Sequence, residues 1–159
     1  MIRYVLALCW SLTMLGVLVG CGVSKTVVKR ATRTAGVSSG KLSLRVAISP
    51  GANQNSPVAV DVLLIKDKSF LKTAQGLSAN DWFTKKRQLQ RQFPKGMEVM
   101  SWEWVPGQNV ALITFVVPVD TQAAMMFANY ASAGPHSAPL PMSGKVAVFL
   151  DDEDSTIDK

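Results

Sequence analysis

Apolar residues recur at every second position from Leu42 to Ile48, with Leu42, Leu44, Val46 and Ile48 alternating with Ser43, Arg45, Ala47 and Ser49. A period of two puts successive side chains on opposite faces of extended backbone, so the stretch predicts a strand with one buried face. Pro50 and Gly51 end it, and Ala52, Asn53, Gln54, Asn55, Ser56 and Pro57 predict a polar loop longer than a tight hairpin needs. In the next segment, Val58 to Ile65, Val58, Val60, Val62 and Leu64 share one side and only Asp61 is polar, which predicts a second, central strand.

The period changes between Asp67 and Phe93. Asp67 is placed to cap a short turn through Phe70 and Leu71, and Ser78 followed by Asp81 has the form of a capping box. Trp82, Phe83, Leu89 and Phe93 mark the apolar side of a helix whose other side carries Lys85, Lys86, Arg87 and Arg91; Pro94 and Gly96 end it. A charge run on a helix is ordinarily its solvated side, and a basic docking face is the sharper alternative. Alternation returns at Met97 to Val105, with Met100, Trp102 and Trp104 on one face. Val105, Pro106, Gly107 and Gln108 have the type II turn pattern and predict a hairpin into a long strand from Asn109 to Val119.

Ala123 to Tyr130 leaves helix and strand open: Ala and Met favour helix, whereas a short apolar run between breakers suits a buried strand. Ser132 to Ser143, with Pro135, Pro139 and Pro141, predicts an irregular loop. Lys145 to Leu150 predicts a closing strand, and Asp151 to Lys159 is expected to fray. Strands and turns around one helical insert, at about 67–93, predict a mainly β chain folded as a small two-sheet β-sandwich.

The N-terminal region has a different pattern. Met1, Ile2 and Arg3 precede an apolar run from Tyr4 to Val19, which reads as an export signal too short to span a bilayer. Leu18, Val19, Gly20 and Cys21 form a lipobox: the protease needs a small residue at Gly20, and the Cys21 thiol takes the thioether-linked diacylglycerol. An ordinary secretory signal with a chance cysteine and a short membrane anchor are the alternatives. Gly22 is not the Asp that retains lipoproteins in the inner membrane of enterobacteria, so the expected address is the periplasmic face of the outer membrane. Residues 1–20 are then a signal peptide and 21–40 a lipidated flexible tether, its ends about 25 Å apart as a coil. Residues 41–159 are the folded domain.

Cys9 leaves with such a signal and Cys21 carries lipid, so the mature chain has no disulfide to close and its core rests on packing, which a 48% apolar composition supports. The net charge of +6 is unevenly placed: Lys25, Lys29, Arg30, Arg33, Lys41 and Arg45 precede the first acid, Asp61, while Asp151, Asp152, Glu153 and Asp154 crowd the end. An exported chain whose basic stretch lacks aromatic interleaving does not suit nucleic acid, so no such partner is expected. The tether cations suit anionic headgroups, or simply solvate a linker.

Candidate chemistry is sparse. The single His, His136, has no acid near it in sequence and reads as a surface loop residue. No phosphate loop, HExxH or serine elbow is present. Asp151 to Asp154 lacks the spaced ligands and glycine of a calcium loop and reads as a solvated tail. Trp102 and Trp104 are either core or an exposed stacking platform, with burial favoured by their large apolar area. No catalytic residue, metal, cofactor or small-molecule substrate is expected, and the chain reads as a binding or structural lipoprotein.

The order of these features, with "NSPVAVDVLLIKDKSFLKTA" before the helical insert, "PGQ" before a strand, then "AAMMFANY" and a closing "KVAVFL", resembles the type VI secretion outer-membrane lipoproteins, the TssJ or SciN family. The chain departs from the family at "VDVLLIKD", where Arg and Tyr-Gln-Leu are common, and in its basic insert. The resemblance implies a transthyretin-like sandwich in which Ala123 to Tyr130 is a strand. It also implies an outer-membrane anchor for the secretion complex that binds the periplasmic C-terminal part of the inner-membrane protein TssM. The family's contact loop falls on Ser49 to Pro57, making Pro50, Gly51, Ala52, Asn53, Gln54, Asn55 and Ser56 the candidate partner-binding residues. The competing reading is a periplasmic lipoprotein that binds a ligand or inhibits an enzyme through Trp102 and Trp104 or through Ala131 to Pro141.

Overall fold

The alternation that opens at Leu42 produces strand β1 (Gly40–Ile48), whose Leu42, Leu44 and Val46 are buried in the computed structural model, which describes residues 40–159. The signal, the lipobox with Cys21 and the tether lie outside the described residues. A single turn, α1 (Ala52–Asn55), leads into β2 (Val58–Ile65). Two helices, α2 (Lys68–Gln75) and α3 (Ala79–Gln92), precede β3 (Met97–Trp104), and β4 (Ile113–Val117), β5 (Ala123–Asn129), β6 (Ser137–Leu140), β7 (Gly144–Leu150) and β8 (Ser155–Asp158) complete the chain.

The strands form two four-stranded sheets, ordered β4-β1-β7-β8 and β3-β2-β5-β6. All neighbours are antiparallel except β1 and β7, which run parallel with Leu42 opposite Gly144 and Ile48 opposite Leu150. Face-to-face packing puts Leu42, Leu44 and Val46 with Val146, Val148 and Leu150 against Val58, Val60, Val62, Ala124, Met126 and Ala128. The architecture is the expected transthyretin-like sandwich with a helical insert.

The second sheet is covered on its other face as well. Leu63 and Ile65 of β2 and Met125 and Phe127 of β5 point away from the first sheet and pack against Phe70, Ala74, Ala79, Trp82 and Leu89 of the helices. Burial on both faces explains the near-continuous apolar run of β2 and its central place. It also resolves Ala123 to Tyr130 as strand: Ala124, Met126 and Ala128 serve one core and Met125 and Phe127 the other, against the helix propensity of Ala and Met. The caps hold as predicted. Asp67 accepts hydrogen bonds from the Ser69 and Phe70 amides, and the Ser78 hydroxyl accepts from the Asp81 amide while donating to the Asp81 carboxylate. Asp67 starts a two-turn helix rather than a lone turn.

Three expectations are corrected. The predicted β3–β4 hairpin does not form: β3 belongs to the second sheet, and β4 pairs with β1 in the first. Its turn is correct, with the Gln108 amide 3.1 Å from the Val105 carbonyl and Gly107 at φ 71°. A type II turn splays strands instead of matching their twist, and Asn109 to Leu112 crosses between the sheets, so the strand begins only at Ile113 and stops before Pro118. Within the expected loop from Ser132 to Ser143, Ser137 to Leu140 forms an edge strand, where Pro139 is tolerated. The tail does not fray, because β8 pairs with β7 and sets half-buried Ile157 opposite Val148.

Candidate functional site

Both sheets run their strands between the same two ends. The β1–β2, β3–β4, β5–β6 and β7–β8 connections gather at one end; Gly40, the β4–β5 and β6–β7 connections and the start of the helical insert lie at the other. The candidate loop from Ser49 to Pro57 therefore has three neighbours, and hydrogen bonds tie it to them.

The loop folds tightly because its residues take a left-handed turn. Asn53, Gln54 and Asn55 have φ of 49°, 54° and 60°. Asn tolerates this region better than other non-glycine residues, and neighbouring carbonyls hold the turn: the Asn53 and Gln54 amides donate to the Asp151 and Asp152 carbonyls at 3.2 and 3.1 Å. Asn53 is only 6% exposed, and its side chain acts as a staple. Its Nδ2 donates to the Pro57 carbonyl at 2.9 Å, and its Oδ1 accepts from the Ala131 amide at 2.7 Å. Ser49 Oγ donates to the Asp152 carboxylate at 3.0 Å, and the Gly107 amide donates to the Ser49 carbonyl. Asp152 packs so closely on Gly51 that a Cβ there would collide with its carboxylate.

Of the seven candidate contact residues, Ala52 and Asn53 are buried and build the loop, while Gly51 is half-buried. Pro50, Gln54, Asn55 and Ser56 are exposed and face outward beside the exposed carboxylates of Asp151 to Asp154. What the loop end offers a partner is thus a hydrogen-bonded surface of amides, hydroxyls and carboxylates.

His136 is not a surface loop residue. It is 6% exposed, adopts φ 44°, and its ring lies 5.0 Å from that of Tyr130. Nδ1 is 2.8 Å from Asp154 Oδ1 and Nε2 is 2.9 Å from the Ser132 carbonyl. Ser132 Oγ lies 3.4 Å from Nε2, so Ser132, His136 and Asp154 have the composition of a nucleophilic triad. Their geometry is not that of one. The short partner of Nε2 is a carbonyl, which only a ring N–H satisfies, and the Ser132 hydroxyl donates to the Glu153 carbonyl. His136 therefore clamps the β7–β8 bend onto the β5–β6 loop. The 18 residues separating His136 from Asp154 hid this partnership in the sequence.

The aromatic platform is also resolved. Trp102 and Trp104 stack with centroids 5.7 Å apart, Trp104 is buried and Trp102 is half-buried against the inter-sheet core. On the helical insert, Lys85 pairs with Asp81 at 2.6 Å, which holds that carboxyl below the usual range together with the Ser78 hydroxyl. Lys86 is not part of a solvated face: it reaches Asp61 Oδ2 at 2.7 Å and Ser101 Oγ at 2.9 Å. Among the described residues no group of three or more His, Cys, Asp or Glu is placed to hold a metal ion, and no helix is long and apolar enough to cross a membrane.

No model of a known family matches the sequence, and no curated protein matches it. Solved structures do match in fold. The type VI secretion lipoprotein TssJ1 from Pseudomonas aeruginosa superposes with a TM-score of 0.59 at 14% identity, over 76% of this chain and 95% of that one. Serratia marcescens Lip, a membrane-bound component of the Type VI Secretion System, gives 0.57 at 15% identity, over 76% and 97%. A structure of the T6SS protein TssM C-terminal domain (869-1107) from EAEC gives 0.51 at 13% identity, over 76% and 98%. The likeness drawn from the sequence is upheld in the fold.

Proposed function

We propose that this chain is a lipoprotein anchored through Cys21 in the periplasmic face of the outer membrane, where it holds a type VI secretion trans-envelope complex by binding the periplasmic C-terminal domain of a TssM-like inner-membrane protein. The observation that carries this reading is the coincidence, in one chain, of the lipobox Leu18 to Cys21 with a sandwich fold shared with type VI secretion lipoproteins. The chain acts as a mechanical tether and turns nothing over. More than one acyl chain gives stable attachment where a single chain is marginal.

The loop end suits the partner role. It lies eight residue steps along β1 from Gly40, about 26 Å at strand rise, so the tether and the docking surface occupy opposite ends of the domain. Pro50, Gln54, Asn55 and Ser56 are the contact residues. A joint substitution of Gln54 and Ser56 by Lys, which keeps the Asn residues of the left-handed turn, is expected to abolish capture of the TssM-like periplasmic domain by the full chain in membranes while leaving the fold intact by circular dichroism. Unchanged capture would remove the loop from the interface, and absence of capture by the unaltered chain would remove the secretion reading. Replacement of Cys21 by Ser is expected to release the protein from the outer-membrane fraction.

A further inference from the structure

We propose that the Gly40 end of the sandwich seats on the lipid surface in which the chain is anchored, through an exposed apolar rim of Val116, Val119 and Met142 flanked by Lys41 and Lys145; this rests on the anchoring reading above. Val116, Val119 and Met142 are 60%, 53% and 44% exposed, and they sit where the chain enters the fold. Gly40 packs directly on the Met142 carbonyl, in a hollow also lined by Val119. Lys41 lies opposite Val116 in the β1–β4 register, and Lys145 lies opposite Ser43 on the same outer face of the sheet.

Charge selects lipid as the occupant. Lys68 and Lys95 are also exposed at this end, whereas of its acids Glu98 and Asp120 are engaged by Lys66 at 2.7 and 3.3 Å and Asp67 accepts the Ser69 and Phe70 amides. The opposite end carries Asp151, Asp152, Glu153 and Asp154, all exposed. An anionic surface attracts the first end and repels the second, and apolar side chains flanked by lysines are the composition that inserts at a headgroup boundary. Seated this way, the domain directs its acidic loop end into the periplasm.

The test uses the full lipidated chain in phosphatidylethanolamine–phosphatidylglycerol vesicles, with a polarity-sensitive fluorophore on a single introduced thiol: Val119→Cys, Met142→Cys, or Val105→Cys at the far end. Quenching by brominated lipid is expected to be at least about threefold greater at 119 and 142 than at 105, because interfacial residues reach the acyl boundary. Lys41→Glu with Lys145→Glu is expected to reduce that quenching about twofold on these vesicles and to leave it unchanged on uncharged ones. Equal quenching at all three positions in vesicle-bound protein overturns the seating and leaves the anchor standing. Labels shielded from aqueous iodide yet unquenched by bromolipid mean that residues 22–39 or a second copy cover the rim, which also overturns it. Protein that does not float with the vesicles, and whose Cys21 takes the fluorophore, overturns the anchor and the seating together.

Discussion

The two sheets are built on the same scale but treat their outer faces differently. On the first, Ser43, Arg45, Thr114, Lys145 and Thr156 meet solvent or one another, with Ser43 and Thr114 sharing a 3.0 Å hydrogen bond. On the second, the corresponding face is roofed by α2 and α3 and contains Asp61, 1% exposed. A sheet with one wet face needs only alternation. A sheet roofed by helices must satisfy any polar group it keeps, and Asp61 is satisfied by Trp82 Nε1 and Lys86 Nζ, both 2.7 Å from Oδ2. The insert is therefore attached both by apolar packing and by a buried charge, and the contrast between the sheets can be tested by substitution.

The largest expected effect is at Asp61. Replacement by Ala leaves the buried Trp82 indole N–H without its acceptor and the Lys86 ammonium without its counter-charge, with only Ser101 Oγ to donate to, and is expected to cost about 3–5 kcal/mol in urea unfolding. Combining Asp61→Leu with Lys86→Met removes the whole charged set and should recover most of that loss; failure to recover would mean that the network does more than satisfy itself. Next comes the entry to α3, where Ser78→Ala removes the cap and should cost about 1 kcal/mol by the same measurement.

Tyr130→Phe should be neutral or stabilising by up to about 1 kcal/mol, since the buried hydroxyl has no hydrogen-bond partner among the described residues. Burial, and then the neighbouring Asp151 and Asp154 carboxylates, push the Tyr130 phenol up. A pKa raised on folding contributes stability that is complete below the unfolded phenol's value of about 10 and declines as pH rises above it. The Phe variant should accordingly lose less stability than the parent in that alkaline window. Smallest of all, Ser43→Ala on the open face should stay within about 0.5 kcal/mol, and a loss approaching that of Asp61→Ala would erase the distinction between the sheets.

What the sequence disclosed follows the range of the interactions involved. The β1 alternation, the apolar run of β2, the caps at Asp67 and Ser78 and the type II turn at Pro106 and Gly107 all depend on residues within a few positions of one another, and all are present. The roles of Lys86 and His136 were hidden because their partners, Asp61 and Asp154, are remote in sequence. Edge strands β6 and β8 are only four residues long, too short to show a period, and gain their order from neighbours already in place. The candidate loop was legible in position but not in anatomy: nothing local marks Asn53 as a buried staple or Asp151 and Asp152 as the carbonyls that hold its turn. Cys21 lies outside the described residues, and its reading still comes from the lipobox alone.

The parallel pairing of β1 with β7 also dictates when the fold can close. Leu42 and Gly144 sit side by side although most of the chain separates them, and β1 lies between β4 and β7 inside its sheet. A chain delivered N-terminus first thus holds β1 unfinished until β7 arrives. Contacts of such long sequence separation make folding slow, and a product cut short before Gly144 would leave one edge of β1 and the apolar side chains of the inter-sheet core uncovered. Completion of the inter-sheet core therefore waits on a single late strand, β7.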